Sequence, residues 1–300
     1  MITSLEISGL RGIREGRLDG LAPLTILVGP NGCGKSTVLD ALLVVAGENP
    51  QNGIELVKNR HTGLQNSASR WLLWEGNGNT ELLITARRQD GESRTCAARL
   101  LAHGDVHVEV KEAGESSSGR ALRAIDLDST QPPTEKGPSA AVHILEGLSE
   151  RKDRPLHMLL KNAYQSDRRD KRVVQQMREL VPSMEDVLIF TEDYNHNEPV
   201  VYLTFANRIV PVTLAGDGIH AFLRLSLELA SLDARLVLLE EPEVHQHPAA
   251  IRQAARAIVN AVRDGIQVVL TTHSLELIDA FLAESSSEDV ERLSLFTLAL

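Results

Sequence analysis

The chain has 300 residues, 42% hydrophobic and 24% charged, with 31 basic against 41 acidic side chains and a formal net charge of −10. A chain of this length buries roughly three quarters of its unfolded surface and needs no staples to hold a core, and the composition excludes a disordered chain, a collagen-like rod and a coiled-coil rod. The acidic balance excludes a protein that coats nucleic acid with its whole surface, although a local basic patch remains open.

Two Trp, three Tyr and five Phe are too few for a platform that stacks single-stranded bases. Cys33 and Cys96 cannot by themselves make a disulfide framework or a four-ligand zinc site, which fits a reducing compartment. No apolar run reaches the roughly 18 residues of a membrane span. The start, Met1-Ile-Thr-Ser-Leu-Glu-Ile7, lacks the basic end and apolar stretch of a signal peptide, so a cytoplasmic location is expected.

In chain order, Ile2 to Ile7 reads as a strand, and Leu24 to Val28 is a short β-branched run stopped by Gly29-Pro30. From Lys35 the spacing turns helical, with Val38, Leu39, Leu42, Leu43 and Val45 on one side until Gly47. Glu81 to Thr85, Thr95 to Leu101 and Val106 to Val110 read as an antiparallel meander. Glu112 to Ser139 is rich in Gly, Ser, Pro and charge and reads as a mobile loop; its Asp126 and Asp128 read as a solvated pair rather than a metal site. Arg151 to Arg178 is helical in composition and carries nine Lys/Arg against three Asp, +6 in all, which leaves −16 for the rest of the chain. The last third alternates: helix Asp217 to Leu232, strand Leu236 to Leu239, helix Pro248 to Arg263, strand Ile266 to Leu270, helix Leu275 to Leu282, strand Leu293 to Leu300. Such alternation predicts a parallel sheet.

The strongest chemical signal is Gly29-Pro-Asn-Gly-Cys-Gly-Lys-Ser36, the G-x-x-x-x-G-K-S (Walker A) pattern between a predicted strand and a predicted helix. Its glycines let backbone N–H groups face phosphate oxygens, and the helix start adds a favourable dipole. Lys35 is expected to reach the outer phosphates and Ser36 a magnesium ion. Leu236-Val-Leu-Leu-Glu-Glu-Pro-Glu243 is an apolar strand that delivers carboxylates at its C-terminal end, where the ligands of a parallel sheet lie. Consecutive acids there call for a cation or a proton to move. Glu240 is therefore expected to support the magnesium shell and Glu241 to orient or deprotonate the attacking water. Thr271-Thr-His-Ser274 places His273 on the same sheet edge, where a histidine can bond the γ-phosphate. Leu214-Ala-Gly-Asp-Gly218 opens a helix with small residues; alone it is a helix cap as often as an anion site.

Together these residues resemble the ABC-type ATPases of the OLD/RecF/SMC group. The opening Leu5-Glu-Ile-Ser-Gly-Leu-Arg-Gly12 and the Glu-Glu-Pro-Glu turn ending at His247-Pro248 are similar to theirs, and the resemblance covers residues 1 to 47 and 208 to 300. It implies an α/β P-loop head with a mixed central sheet, an antiparallel β-meander and a helical lobe. That head would span 1–300 as a nucleotide-binding lobe, 1–111 and 200–300, with a loop and helical insertion, 112–199. It further implies that ATP is bound by Gly29, Pro30, Asn31, Gly32, Cys33, Gly34, Lys35, Ser36 and Thr37, that Ser36 and Glu240 hold Mg2+, and that Lys35, Glu241 and His273 serve catalysis. Arg11 would lie near the nucleotide. Gly216 and Gly218 would contact ATP held by a second copy, so hydrolysis would require a homodimer.

Three departures bear on this transfer. Glu240 replaces the aspartate of most relatives, Gln246 stands where leucine is common, and Leu-Ala-Gly-Asp-Gly lacks the serine of transporter signatures. The last of these disfavours a transporter subunit, and the absence of a long heptad array disfavours an SMC rod with a long coiled coil. The expected function is an ATPase head that dimerises on ATP and switches a DNA-directed activity in prokaryotic defence or repair. Arg151, Lys152, Arg154, Arg168, Arg169, Lys171 and Arg172 would line the DNA, and a separate effector such as a nuclease would act on it. The alternative is a nucleotide-controlled protein-interaction switch without DNA.

Overall fold

The computed structural model describes residues 1–59, 68–101, 105–113, 142–146, 155–166, 169–191, 199–231, 235–244 and 246–299. Strand β1 (Ile2–Leu10) pairs with β2 (Ile13–Asp19) across the turn Arg11-Gly12. β3 (Leu24–Val28) leads into α1 (Lys35–Ala46), on which α2 (Pro50–Asn59) packs. β4 (Leu82–Arg88), β5 (Ser93–Leu100) and β6 (Val106–Ala113) form the expected meander, which joins the hairpin in the order β2-β1-β4-β5-β6. Then come β7 (Val142–Glu146), helices α3 (Leu156–Gln165) and α4 (Asp170–Leu180), and a small antiparallel sheet of β8 (Met184–Thr191), β9 (Pro199–Phe205) and β10 (Arg208–Pro211). The rest alternates as predicted: α5 (Asp217–Ser231), β11 (Leu236–Glu240), α6 (Pro248–Arg263), β12 (Gln267–Thr272), α7 (Leu275–Glu284), α8 (Ser287–Glu291) and β13 (Leu293–Thr297).

Five strands make a wholly parallel sheet in the order β13-β3-β12-β11-β7. Its central strands are buried on both faces, as apolar runs without polar alternation require. Alternate residues feed two cores. Ile26, Val237, Leu239, Val268 and Leu270 pack against α5, α6 and α7. Leu27, Leu236, Leu238 and Val269 face the other way, with α1 and the antiparallel sheet. One buried side chain stitches the layers: Gln267 Oε1 accepts from the Ile2 N–H at 2.8 Å, and its Nε2 donates to the Ile2 carbonyl at 2.7 Å.

The structure departs from expectation in three places. The strands expected in one mixed sheet divide between the parallel sheet and the antiparallel one, because the β1–β2 and β4–β6 turns are too short for parallel crossovers. Val142–Glu146, placed within the insertion 112–199, is the edge strand β7 beside β11, so that segment contributes to the central sheet. The basic helical segment is two helices, α3 and α4. Asp126, Asp128 and the loop 114–139 lie outside the described residues.

Candidate functional site

Because β3, β12 and β11 are parallel neighbours, their C-terminal ends open on one edge of the sheet. Val28 is level with Thr272, and Thr271 with Glu240. The loop after β3 therefore faces the carboxylates after β11, with His273 between them at the end of β12.

The loop is shaped by glycines in conformations that L side chains avoid. Gly29 (φ 152°) lies under the chain at Leu298; a Cβ there would sit 2.5 Å from the Leu298 carbonyl oxygen. The Leu298 N–H donates to the Val28 carbonyl at 2.8 Å, which fixes that close approach. Gly34 (φ 94°) opens α1, where free backbone N–H groups favour an anion. Lys35, buried at 6% exposure, folds back over the loop and donates to the Gly29 and Pro30 carbonyls, each at 3.0 Å.

Ser36 Oγ, in the first turn of α1, donates to Glu240 Oε1, so the hydroxyl and the carboxylate expected to share a cation are already in contact. Both are hard oxygen donors, and Mg2+ commonly takes one or two protein oxygens and fills its octahedron with phosphate oxygens and water. The next acid is aimed elsewhere. Glu241 sits at φ 45°, a conformation rarely adopted by a side chain of its size. It is held there because its N–H bonds the Thr271 carbonyl at 3.1 Å and Thr271 Oγ1 at 3.3 Å. Its Oε1 lies 3.3 Å from His273 Nε2, and both side chains are about a third exposed, at 38% and 36%.

Glu243 had no expected role. Its Oε1 accepts from Thr272 Oγ1 at 2.6 Å and from the His273 N–H at 3.2 Å, so it orients the strand end that carries the histidine. Gln246, in the place where leucine is common, donates from Nε2 to the Pro242 carbonyl at 2.7 Å and closes the same turn. His247 caps α6 through Nδ1, with Pro248 in the first turn.

Two groups of expected site residues lie elsewhere. Arg11 (φ 48°) is at the β1–β2 turn, and its guanidinium is engaged by the buried Asp40 of α1 and by the Val57 carbonyl of α2 at 3.0 Å. It clasps α1 to the sheet and to α2 rather than presenting its charge to a nucleotide. Gly216, exposed, and Gly218, half-buried, stand at the start of α5, which packs chiefly on α3, α4 and α6. A Cβ on Gly216 would meet nothing within 4 Å. Of the seven basic residues expected to line DNA, Arg151, Lys152, Arg154 and Arg168 lie outside the described residues. Arg172 pairs with Asp264 at 2.6 Å, Arg169 donates to the Ala230 carbonyl at 3.3 Å, and Lys171 is exposed.

The family described as "AAA domain, putative AbiEii toxin, Type IV TA system" matches residues 24–279. An uncharacterized protein of Methanocaldococcus jannaschii is 34% identical over 77 residues, 25% of this chain and 68% of that protein. A Helicobacter pylori protein named ATP/GTP phosphatase is 19% identical over 321 aligned positions, 93% of this chain and 87% of the relative. Among solved structures, an SMC head bound to the C-terminal winged-helix domain of ScpA superposes with a TM-score of 0.62 at 15% identity, covering 93% of this chain and 91% of that one. Among the described residues no helix is long and apolar enough to cross a membrane. The chain belongs to this AAA-domain family, as a P-loop ATPase with the fold of an ABC-type head.

Proposed function

We propose that the chain binds ATP with Mg2+ along the loop from Gly29 to Thr37 and hydrolyses it as a homodimer, the turnover serving as a switch. The observation that carries this reading is the division of labour between consecutive acids: Glu240 bonds Ser36, while Glu241 is turned toward His273. Lys35 would exchange the two backbone carbonyls it now bonds for phosphate oxygens, a charge-assisted contact stronger than those it leaves. Ser36 and Glu240 would hold Mg2+, which supplies charge neutralisation for the β- and γ-phosphate oxygens. Glu241 would accept hydrogen bonding from the water that attacks phosphorus as the bridging oxygen leaves, and His273 would orient the Glu241 carboxylate and touch the γ-phosphate. Gly216, exposed just before α5, and Gly218, half-buried in its first turn, would meet the nucleotide held by the second copy.

The test separates the roles. Lys35→Ala is expected to lose nucleotide binding, and Glu241→Gln to keep ATP while losing turnover by a hundredfold or more, about the range of a positioned base. A Glu241→Gln variant that hydrolyses ATP at the wild-type rate would remove the assignment. On biological role, we favour an OLD/RecF-like head that drives a DNA-directed activity in defence or repair, with a separate effector. Its support is the +6 segment from Arg151 to Arg178. The Arg172–Asp264 pair favours the second reading, a protein-interaction switch, since it balances part of that charge internally. ATPase rates with and without duplex DNA decide between them: stimulation supports the first and indifference the second.

A further inference from the structure

The parallel sheet has a second open edge. Opposite the phosphate loop, at the N-terminal ends of β11 and β12, lies a cleft of about 550 Å³ walled by α4, the last turns of α5 and α6, and the residues leading into the two strands. That volume falls within the range of small-molecule sites. Three guanidiniums line it: Arg169 and Arg172 from the start of α4, and Arg235 from just before β11. Among the described residues that line it, Asp264 is the one carboxylate, so three guanidiniums face one acid there.

Helix geometry explains part of this. The C-terminal ends of α5 and α6 are negative and attract cations, and Arg169 bonds the Ala230 carbonyl there while Arg172 pairs with Asp264. It does not explain the rest. Arg235 is exposed in the cleft; its backbone carbonyl accepts from the Gln267 N–H at 2.9 Å, but its guanidinium makes no hydrogen bond or ion pair among the described residues. Ser226 of α5, only 3% exposed, lines the same cleft, and its hydroxyl has no hydrogen-bond partner among the described residues. A buried hydroxyl without a partner carries a desolvation cost that a ligand would relieve. Leu229 and Ile266 give the cleft an apolar wall.

We propose that this cleft binds a small phosphorylated ligand. Its phosphate would be forked by Arg235 and Arg172 and would accept from Ser226, with the apolar part of the ligand against Leu229 and Ile266. Guanidinium forks match phosphate geometry, and a walled cleft suits a compact anion better than the open track along which a duplex backbone runs. The ligand would sit at the opposite ends of the strands that deliver Glu240, Glu241 and His273, roughly 17 Å away over five strand residues. It is therefore distinct from the nucleotide.

The probe is inorganic pyrophosphate, titrated calorimetrically into the full chain carrying Lys35→Ala so that the phosphate loop adds little signal. One saturable site is expected, weakened roughly tenfold or more by adding Arg235→Gln, the loss of one charge-assisted contact. Asp264→Asn should tighten it by removing the competing carboxylate. Because Arg235 is exposed, its variant should melt with the parent, and a matched melting curve verifies this. Absence of saturation at millimolar pyrophosphate, or binding indifferent to Arg235→Gln, overturns the proposal. So does a duplex oligonucleotide that binds through Arg235 where pyrophosphate does not.

Discussion

Cys33 and Cys96 show how position sets the chemistry of one residue type. Cys96 is buried in β5, and desolvation of its thiolate pushes it up to about 11, which leaves it a thiol at neutral pH. Cys33 lies half-buried at the crest of the phosphate loop, between Gly32 and Gly34. A maleimide at pH 7.5 is expected to label Cys33 in the folded protein and to reach Cys96 only after denaturation, as peptide mass mapping would show. ATP with Mg2+ should slow the first reaction; equal rates would place the nucleotide away from this loop. The residues of this edge were legible in the sequence because each lies at the end of a strand whose apolar run announced it, or in the loop and helix start that follow one. Their supports were not. Asp40 as the partner of Arg11, Glu243 as the holder of the His273 backbone, and Leu298 above Gly29 are contacts across 29, 30 and 269 sequence positions, which no local pattern encodes.

At the scale of elements, the sequence yields those with strong periodicity and hides those stabilised by neighbours. β2 presents mostly polar, exposed residues because it is an edge strand, so no alternation marks it. α2 contains Gly53, which reads as a breaker; a Cβ there would come within 2.9 Å of the Val44 backbone, so this glycine is what lets α2 lie close on α1. α8 is five residues long and stands on its ends. Ser286 and Asp289 form a reciprocal capping box, and Arg263 of α6 donates to Asp289 at 2.6 Å. The Arg263 hydrogen bond, followed by the Ser286 backbone N–H, holds the Asp289 carboxyl well below its usual 3.8. A carboxylate lowered in the native state stabilises fully above its unfolded value and loses that contribution as pH falls through the native one. Asp289→Asn should therefore cost about 1 kcal/mol at pH 7, a melting shift of roughly 2 °C for a chain of this size. The gap from wild type should narrow as pH falls below 3.8. A pH-independent gap in thermal melts would mean that the lost stability comes from packing rather than charge.

For the whole molecule, the two cores lie on opposite faces of the parallel sheet and are tied by Gln267, and the sheet edge that carries Glu241 and His273 stays accessible. In the proposed homodimer, closing two such bodies over ATP would set charge against the nucleotide and apolar contacts. Each copy carries −10, and Leu214 and Leu275, beside the start of α5 and the His273 turn, are 76% and 75% exposed. Long-range repulsion between the copies is screened by salt over about 8 Å at physiological ionic strength, whereas burial of apolar side chains is not weakened by it. Glu241→Gln with ATP and Mg2+ should accordingly elute as a dimer whose fraction rises as salt is raised from low to physiological strength. Any DNA association should move the opposite way, because each phosphate contact releases counterions. Light scattering on the same samples separates the two slopes, and Leu275→Glu should lower the dimer fraction at every salt concentration without changing nucleotide binding by the monomer. A dimer that weakens with salt, and is indifferent to Leu275→Glu, would mean that complementary charged patches rather than this apolar rim hold the copies together.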